Sequence, residues 1–456
     1  MRNRFVVYLL VAAAALTGLP AVAQQNAEEM TLTWWINPWR IRPPGFPAGE
    51  TPTGEEFARY ISEEFEKLHP NVNVEYEIVP NQGFGEKVAT AIFAGNAPDV
   101  LKDLQWDPDW VRQGLLAPID EYLTEEDRED FIDYTLEEGL IDGKHYIWPW
   151  NNSNNGMGST LLLNPEIFEE RGVEMPELPY REWTIEEFLD KAQQLTFDRD
   201  GDGTTDVYAI TLAAQDTENM LAWLHRFGAR LINEEGTEFV LNSPEGVEGL
   251  QLMVDMIYEY EIAPRGAEGL GVYDTINNLH QGRAAMGYGG IYEIGRIARY
   301  INSGELEEPI KVVIAPYPHD PEVGPVAYRT SGGFLVFQQD DPERQRMAME
   351  LARFITNKEN IALLEDLLYI TARKSVNDQL SFERTQAYTE NIQQQVEVYE
   401  NAISYGIPYY GPSSIDVSPA LDFLTAALQA AFTRQLTPQE ALDQFVEQAN
   451  RVVFGN

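Results

Sequence analysis

Asp198, Asp200, Asp202 and Asp206 lie in the run DRDGDGTTD, a loop with carboxylates at positions 1, 3, 5 and 9 and Gly203 at position 6. Calcium uses that spacing, because its six to eight oxygen ligands must converge while the chain turns sharply at a glycine. Ala209 stands at the twelfth position, where such loops place a bidentate glutamate. The run predicts a structural calcium clip between a helix ending near Leu195 and a strand over residues 207–212, with a plain acidic turn as the alternative. Other chemistry finds few residues. The histidines, His69, His145, His225, His280 and His319, are scattered, with no H-E-x-x-H or other zinc spacing. There is no G-x-S-x-G elbow, no Walker loop and no G-x-G-x-x-G after a strand. The chain carries 74 acidic residues, so paired carboxylates for glycoside hydrolysis are too easily found to mean anything.

Aromatic residues form the second inventory. Trp34, Trp35, Trp106, Trp148, Trp150, Tyr288, Tyr292, Tyr409 and Tyr410 fall at expected strand ends or in loops, beside Asn, Gln, Asp and Gly. Taken singly, each tryptophan is better explained as core. Taken together, flat faces next to hydrogen-bonding groups suit a sugar ring, which is apolar on its C–H faces and polar at its edges. Trp34 and Trp35 must point to opposite faces of a strand, so one packs into the lobe and the other is free for a ligand. Trp35, nearer the strand's C-terminal end, is the one expected to reach it.

The elements that must hold these side chains alternate between strand and helix. Thr53-x-x-Glu56 opens a helix with Phe57, Tyr60, Ile61, Phe65 and Leu68 at helical spacing. Val72, Val74, Tyr76 and Ile78 then alternate with Asn73, Glu75 and Glu77 as a strand with one buried face. A helix over 85–93, a strand over 99–104 and a helix over 109–115 follow. This alternation predicts a mostly parallel sheet covered by helices. Later helix starts are marked by Thr184-x-x-Glu187, Ser243-Pro244 and Thr437-Pro438-x-Glu440.

At 456 residues and 44% hydrophobic content the chain can fill two or three domains. Arg2 and Arg4, an apolar run over 5–16 and Ala21-Val22-Ala23 predict an export signal over residues 1–23. The run is shorter than the ~20 residues of a membrane span. The chain has no cysteine, which leaves it without disulfides or a lipid-anchor cysteine. A periplasmic or secreted protein, free of membrane insertion and monomeric, is expected. The formal charge is −42, or −42 − 2 = −44 without Arg2 and Arg4. Such a surface repels nucleic acid and anionic membrane.

Several stretches together resemble one family, the extracellular sugar-binding proteins of ATP-binding-cassette importers, of the maltose-binding type. They are TLTWWIN, FEKLHPNVNVEYEIVPNQGFGEKVATAIFAGNAPDVL (65–101), GLLAPIDEYL, GKHYIWPW, WTIEEFLDKAQQLT, DRDGDGTTDVYAI, LNSPEGVEGLQLMVD, QGRAAMGYGG, SGGF and TPQEALDQFVEQANRVV. The resemblance implies an α/β, two-lobed periplasmic-binding-protein fold of type II, with a hinge and a ligand cleft between the lobes. Residues 24–147 and 314–336 would form the N-terminal lobe, and 148–313 and 337–456 the C-terminal lobe. Crossings are expected near 146–150, 313–316 and 334–338.

Carried over residue by residue, the resemblance implies Trp35, Asn37, Gln82, Asp103, Trp106, Trp150, Asn152 and Tyr292 as ligand contacts. Gly332 and Gly333 would let backbone approach the sugar. Arg373 follows Ile-Thr-Ala where many members have Leu-Pro-x, and Tyr409 and Tyr410 complete the set. The implied function is binding of an oligosaccharide such as an α-glucoside, without catalysis, and delivery to a membrane permease by hinge closure. Two alternatives stay open: a secreted glycoside-active enzyme using cleft carboxylates, and a receptor of the same fold for a polyamine or other cation.

Overall fold

The computed structural model describes residues 29–47, 50–102, 107–152, 158–176, 183–290, 292–297, 310–329, 331–380, 397–398, 404–408, 410–412 and 414–455. The export segment expected over residues 1–23 lies outside them. Among the described residues no helix is long and apolar enough to cross a membrane.

The N-terminal lobe is built on β1 (Met30–Ile36), β2 (Val72–Ile78), β3 (Val100–Lys102), β6 (Ile147–Asn152) and β11 (Ser331–Val336), paired in the order β2-β1-β3-β11-β6. β4 (Leu140–Ile141) and β5 (Lys144–His145) form a small hairpin before β6. Alternation along the strands sorts side chains to two faces. Leu32, Trp34 and Ile36 meet Phe57, Ile61 and Phe65 of α1 (Glu55–Leu68). Trp35, Leu101 and Leu335 meet Phe84 and Val88 on and around α2 (Phe84–Phe93). The Glu56 carboxylate accepts from Thr53 N at 2.8 Å, as the capping-box spacing predicts, but Gly54 takes the N-cap at φ 111°. A Cβ there would lie 3.0 Å from the Cα of Pro38, so glycine lets α1 start against the loop after β1. Next along the chain in this lobe come α3 (Pro108–Arg112), α4 (Glu125–Asp130) and α5 (Asp133–Glu137).

In the C-terminal lobe β7 (Thr160–Leu163), β8 (Met286–Tyr288) and β9 (Val313–Pro316) pair in the order β8-β7-β9. Around them lie α6 (Pro165–Arg171), α7 (Ile185–Gln194), α8 (Thr217–His225), α9 (Pro244–Tyr258) and α10 (Val272–His280). The predicted starts at Thr184, Ser243 and Thr437 are all caps, with reciprocal capping boxes at Thr184 and Thr437.

Three expectations are corrected. The sheets are only partly parallel: β1, β2 and β3 run together, but β11 opposes β3 and β6, and β7 opposes both its neighbours. β11 enters its sheet from the other lobe instead of through a covering helix, so it is not held to the parallel sense of βαβ units. The strand expected over 207–212 is reduced to bridges, Phe197 to Val207 and Tyr208 to Ala284, and Ala209 and Ile210 donate instead to Ile262 O.

The lobe boundaries also move. Residues 342–355 form α11 (Pro342–Ile355), which packs Met347, Leu351 and Ile355 into the N-terminal lobe, and α12 (Lys358–Ile361) and α13 (Lys374–Asn377) follow it. The chain returns to the C-terminal lobe only for α14 (Ser418–Phe432) and α15 (Pro438–Val453). The crossings accordingly fall between β6 and β7, between β9 and β11, and after α13. At the second and third, β10 (Ala327–Arg329) pairs with β12 (Gly406–Pro408). The first packs against them: Ser159 Oγ donates to Tyr328 O at 2.8 Å, and a Cβ on Gly158 would meet the Tyr328 ring at 2.1 Å.

Candidate functional site

The C-terminal ends of β1, β3 and β6 and the start of antiparallel β11 share one edge of the N-terminal sheet. In open α/β sheets that edge is where ligands bind. Just beyond β1, Trp39 Nε1 donates to Asn37 Oδ1 at 2.7 Å, and Asn37 Nδ2 donates to Asn81 Oδ1 at 3.0 Å. These bonds fix the plane of the Trp39 indole. Its ring meets Trp150 edge-on with centroids 4.7 Å apart, and Tyr369 at 5.0 Å. Tyr369 in turn lies 6.0 Å from Tyr292 of the C-terminal lobe. A line of four rings, Trp150, Trp39, Tyr369 and Tyr292, therefore passes from one lobe to the other.

Polar groups flank the line. The buried Lys102 ammonium, at the end of β3, stands 5.5 Å from the Trp150 ring and 5.8 Å from Trp39, a cation–π placement. Asn151 and Asn152 are both buried at the end of β6. Asn152 donates its backbone N–H to Ile370 O at 2.9 Å, and its side-chain Oδ1 has no hydrogen-bond partner among the described residues. A Cβ on Gly332 would lie 2.6 Å from Asn151 Oδ1 and 3.0 Å from Lys102 Nζ, so glycine lets both polar heads rest on the strand. Gly333 serves packing: a Cβ there would be 2.2 Å from Trp148 O.

Tyr292 opens the helical stretch 292–297. Arg296 lies over its ring at 5.0 Å, and burial drives its phenol well above the ordinary value. Glu293, fully buried, lies 3.2 Å from His280 Nε2 of α10 and 3.3 Å from Arg296, which ties the Tyr292 segment into its lobe.

Among the described residues, four other expected ones, Trp35, Gln82, Arg373 and Tyr410, do not join this floor. Trp35 is half-buried on the α2 side of the sheet, with Lys87 Nζ 4.9 Å over its ring. Gln82 is exposed in the loop before α2. Arg373 is buried in the N-terminal lobe, 2.9 Å from Asp127 and 3.2 Å from Asp130, with its Nε donating to Thr356 O. Tyr410 sits instead at the edge of the C-terminal core, interacting with Thr217 and Glu218. There burial, and next Asp216, push the Glu218 carboxyl up to about 8. Asp103, Trp106 and Tyr409 lie outside the described residues. Trp39, Lys102, Asn151 and Tyr369 were missed by sequence reasoning: none belongs to a local motif, and only the meeting of four distant segments marks them.

In the acidic loop, carboxylate oxygens of Asp198, Asp200 and Asp206 come within 4.8 Å of one another. Such an oxygen set fits a hard cation. Asp202 is not part of it and accepts from Thr204 N at 2.7 Å. Backbone N–H groups of Gly201 and Gly203 donate to Asp198 at 2.7 Å each, and hold its carboxyl below the ordinary range.

A groove of about 860 Å³ on the C-terminal lobe, lined by Ile185, Leu189, Phe227, Val247 and Leu252 with Glu248 and Asp255, lies on α7 and α9 and has no ring from the interlobe line.

The chain is 24% identical over 314 residues to a binding protein of Brucella abortus, covering 67% of this chain and 70% of that one. It is 25% identical over 392 residues to an arabinooligosaccharide-binding protein of Halalkalibacterium halodurans, covering 81% and 80%. Its fold matches an ATP-binding-cassette substrate-binding protein of Listeria monocytogenes in complex with cycloalternan, with TM-score 0.70, 19% identity, and 93% and 99% of the two chains covered. The two-lobed architecture is thus shared with solved binding proteins, and the profile of one family matches residues 48–362. This chain belongs to the bacterial extracellular solute-binding protein family.

Proposed function

We propose that the protein binds an oligosaccharide between its lobes and hands it to the permease of an ATP-binding-cassette importer. The observation that carries this reading is the line Trp150, Trp39, Tyr369 and Tyr292, which joins both lobes: Trp39 and Tyr369 keep partly exposed flat faces, backed by the buried rings of Trp150 and Tyr292, beside Asn37, Asn151, Asn152 and Lys102. Rings of a sugar chain stack on such faces while their hydroxyls take the amide and ammonium groups. A ligand touching both lobes has higher affinity for the closed arrangement, and so shifts the hinge toward it. The Halalkalibacterium and Listeria proteins, one named for arabino-oligosaccharide and one seen with cycloalternan, support an oligosaccharide in general. An α-glucoside is the narrower proposal.

A polyamine fits less well, since Lys102 puts a cation at the floor. The test is calorimetry of the purified protein against arabino-oligosaccharides, maltotriose, trehalose and putrescine, with chromatography of the sugars afterwards. Saturable binding of a recovered, uncut oligosaccharide is expected. Cleavage, or heat from putrescine alone, sinks the reading.

The Asp198 loop is proposed as a calcium clip that stiffens the C-terminal lobe away from the cleft, with Asp198, Asp200 and Asp206 as its ligands.

A further inference from the structure

The lobes also touch away from the aromatic line. α3 is fixed in the N-terminal lobe, where Trp110 packs on Phe337 with centroids 6.0 Å apart. Its last residue, Arg112, donates from its guanidinium to the backbone carbonyl of Ser414, 302 positions further along the chain. Ser414 is held by the other lobe: the neighbouring Ile415 and Val417 pack into the C-terminal core.

Three carboxylates surround this contact. Asp107 caps α3 by accepting from Asp109 N at 2.8 Å. Asp109 pairs with Arg112. Asp416, from the C-terminal lobe, accepts from Ser418 N at 2.9 Å at the start of α14. Burial raises the Asp107 carboxyl, and the charge of Asp416 adds to that, so the two acids feel each other across the lobe boundary.

The geometry points to Arg112 as an interlobe latch: its guanidinium ties the lobes at Ser414 and offsets the repulsion among Asp107, Asp109 and Asp416 that their approach creates. This rests on the reading that ligand binding closes the lobes. Arg112 touches no residue of the proposed sugar floor, so it acts on the open–closed equilibrium and positions the lobes without contacting ligand. A ligand's apparent affinity is reduced by the fraction of protein in the wrong arrangement, so loosening the latch weakens binding. Half of the Arg112 side chain is exposed, at 51%, which keeps the effect in the range of a solvent-screened ion pair.

The chain has no cysteine, so spin labels on Glu86→Cys of α2 and Glu248→Cys of α9 report the interlobe distance without background. In this labelled protein Arg112→Gln is expected to lengthen the ligand-free distance distribution. It should also raise the Kd for the bound oligosaccharide about two- to fivefold, mostly through faster release. Asp416→Asn is expected to shorten the distances, because it removes repulsion and keeps Ser414. Unchanged distances in Arg112→Gln overturn the proposal. Should that variant not fold, Asp416→Asn decides alone: shorter distances support the latch and unchanged ones overturn it. If the unsubstituted protein binds no sugar of the panel, the carbohydrate reading fails, while the ligand-free distances still judge the latch.

Discussion

The indole N–H of Trp39 donates to the side-chain oxygen of Asn37 at 2.7 Å, across only two positions of sequence, and this bond aims the ring at Trp150 and Tyr369. The loop after β1 thereby becomes a rigid face, although it is rich in proline and glycine.

Removing that face should cost affinity. Trp39→Ala and Tyr369→Ala are each expected to weaken oligosaccharide binding by about 2 kcal/mol, roughly thirtyfold in Kd, by calorimetry. Trp35→Ala is expected to leave Kd unchanged and lower the melting temperature, because Trp35 packs on the α2 side.

The two glycines of β11 should part company. Gly333→Ala forces a Cβ to 2.2 Å from a backbone oxygen and is expected to destabilise by about 1–3 kcal/mol in denaturant unfolding. Gly332→Ala meets side-chain atoms of Asn151 and Lys102, which move more easily. Its larger effect should appear in Kd. Equal stability losses in the two variants would contradict this division.

Arg373 is buried against Asp127 and Asp130, and Arg373→Ala removes the buried cation the two share, leaving Asp127 with the half-exposed Arg353 at 3.0 Å and Asp130 with the half-exposed Lys358 at 3.8 Å. A loss of about 3–5 kcal/mol in stability is expected, with sugar affinity unchanged in protein that still folds. Burial raises both carboxyls, but hydrogen bonds from Thr124 and Arg373 at Asp127, and from Ser375 and Arg373 at Asp130, outweigh it and hold both low. A depressed folded pKa gives stability that is full above the unfolded value and lost as pH falls through the folded one. The melting temperature should therefore drop below about pH 4, and less steeply when both aspartates are replaced by asparagine.

Glu218 behaves in the opposite sense. Burial, and next the charge of Asp216, push its folded carboxyl up to about 8, above its unfolded value, so the folded state holds the proton more tightly. Stability is full below the unfolded value and declines as pH rises toward 8. Melting curves between about pH 5 and 9 should show that slope, and Glu218→Gln should flatten it.

Calcium is expected to raise the melting temperature, and a chelator to reverse the rise. Asp198→Asn and Asp206→Asn should abolish the shift, and Asp202→Asn should keep it, because its carboxylate faces Thr204 N. No shift in the unsubstituted protein would remove the clip.

Local chemistry made much of this chain legible. The strand over Val72–Ile78 follows from its period of two, and the caps at Thr184, Ser243 and Thr437 from side chains that accept from the N–H group three residues on. The two-lobed fold came from the resemblance of the chain's motifs, in their order, to a known family. Alternation also required Trp34 and Trp35 to face opposite ways. It could not say which face meets the cleft, because that depends on which helix covers each side of the sheet.

The sequence by itself determined the elements, their caps and the family, since these rest on contacts within a few residues or on long runs of similarity. Tertiary structure alone decided that Trp39, Trp150, Tyr369 and Tyr292 share one line, that Arg373 is spent on Asp127 and Asp130, and that residues 342–355 belong with the first lobe. Each of those pairings joins side chains far apart in the chain, and the free energy that selects them comes from burial and charge neutralisation at the meeting point, which no local spacing encodes.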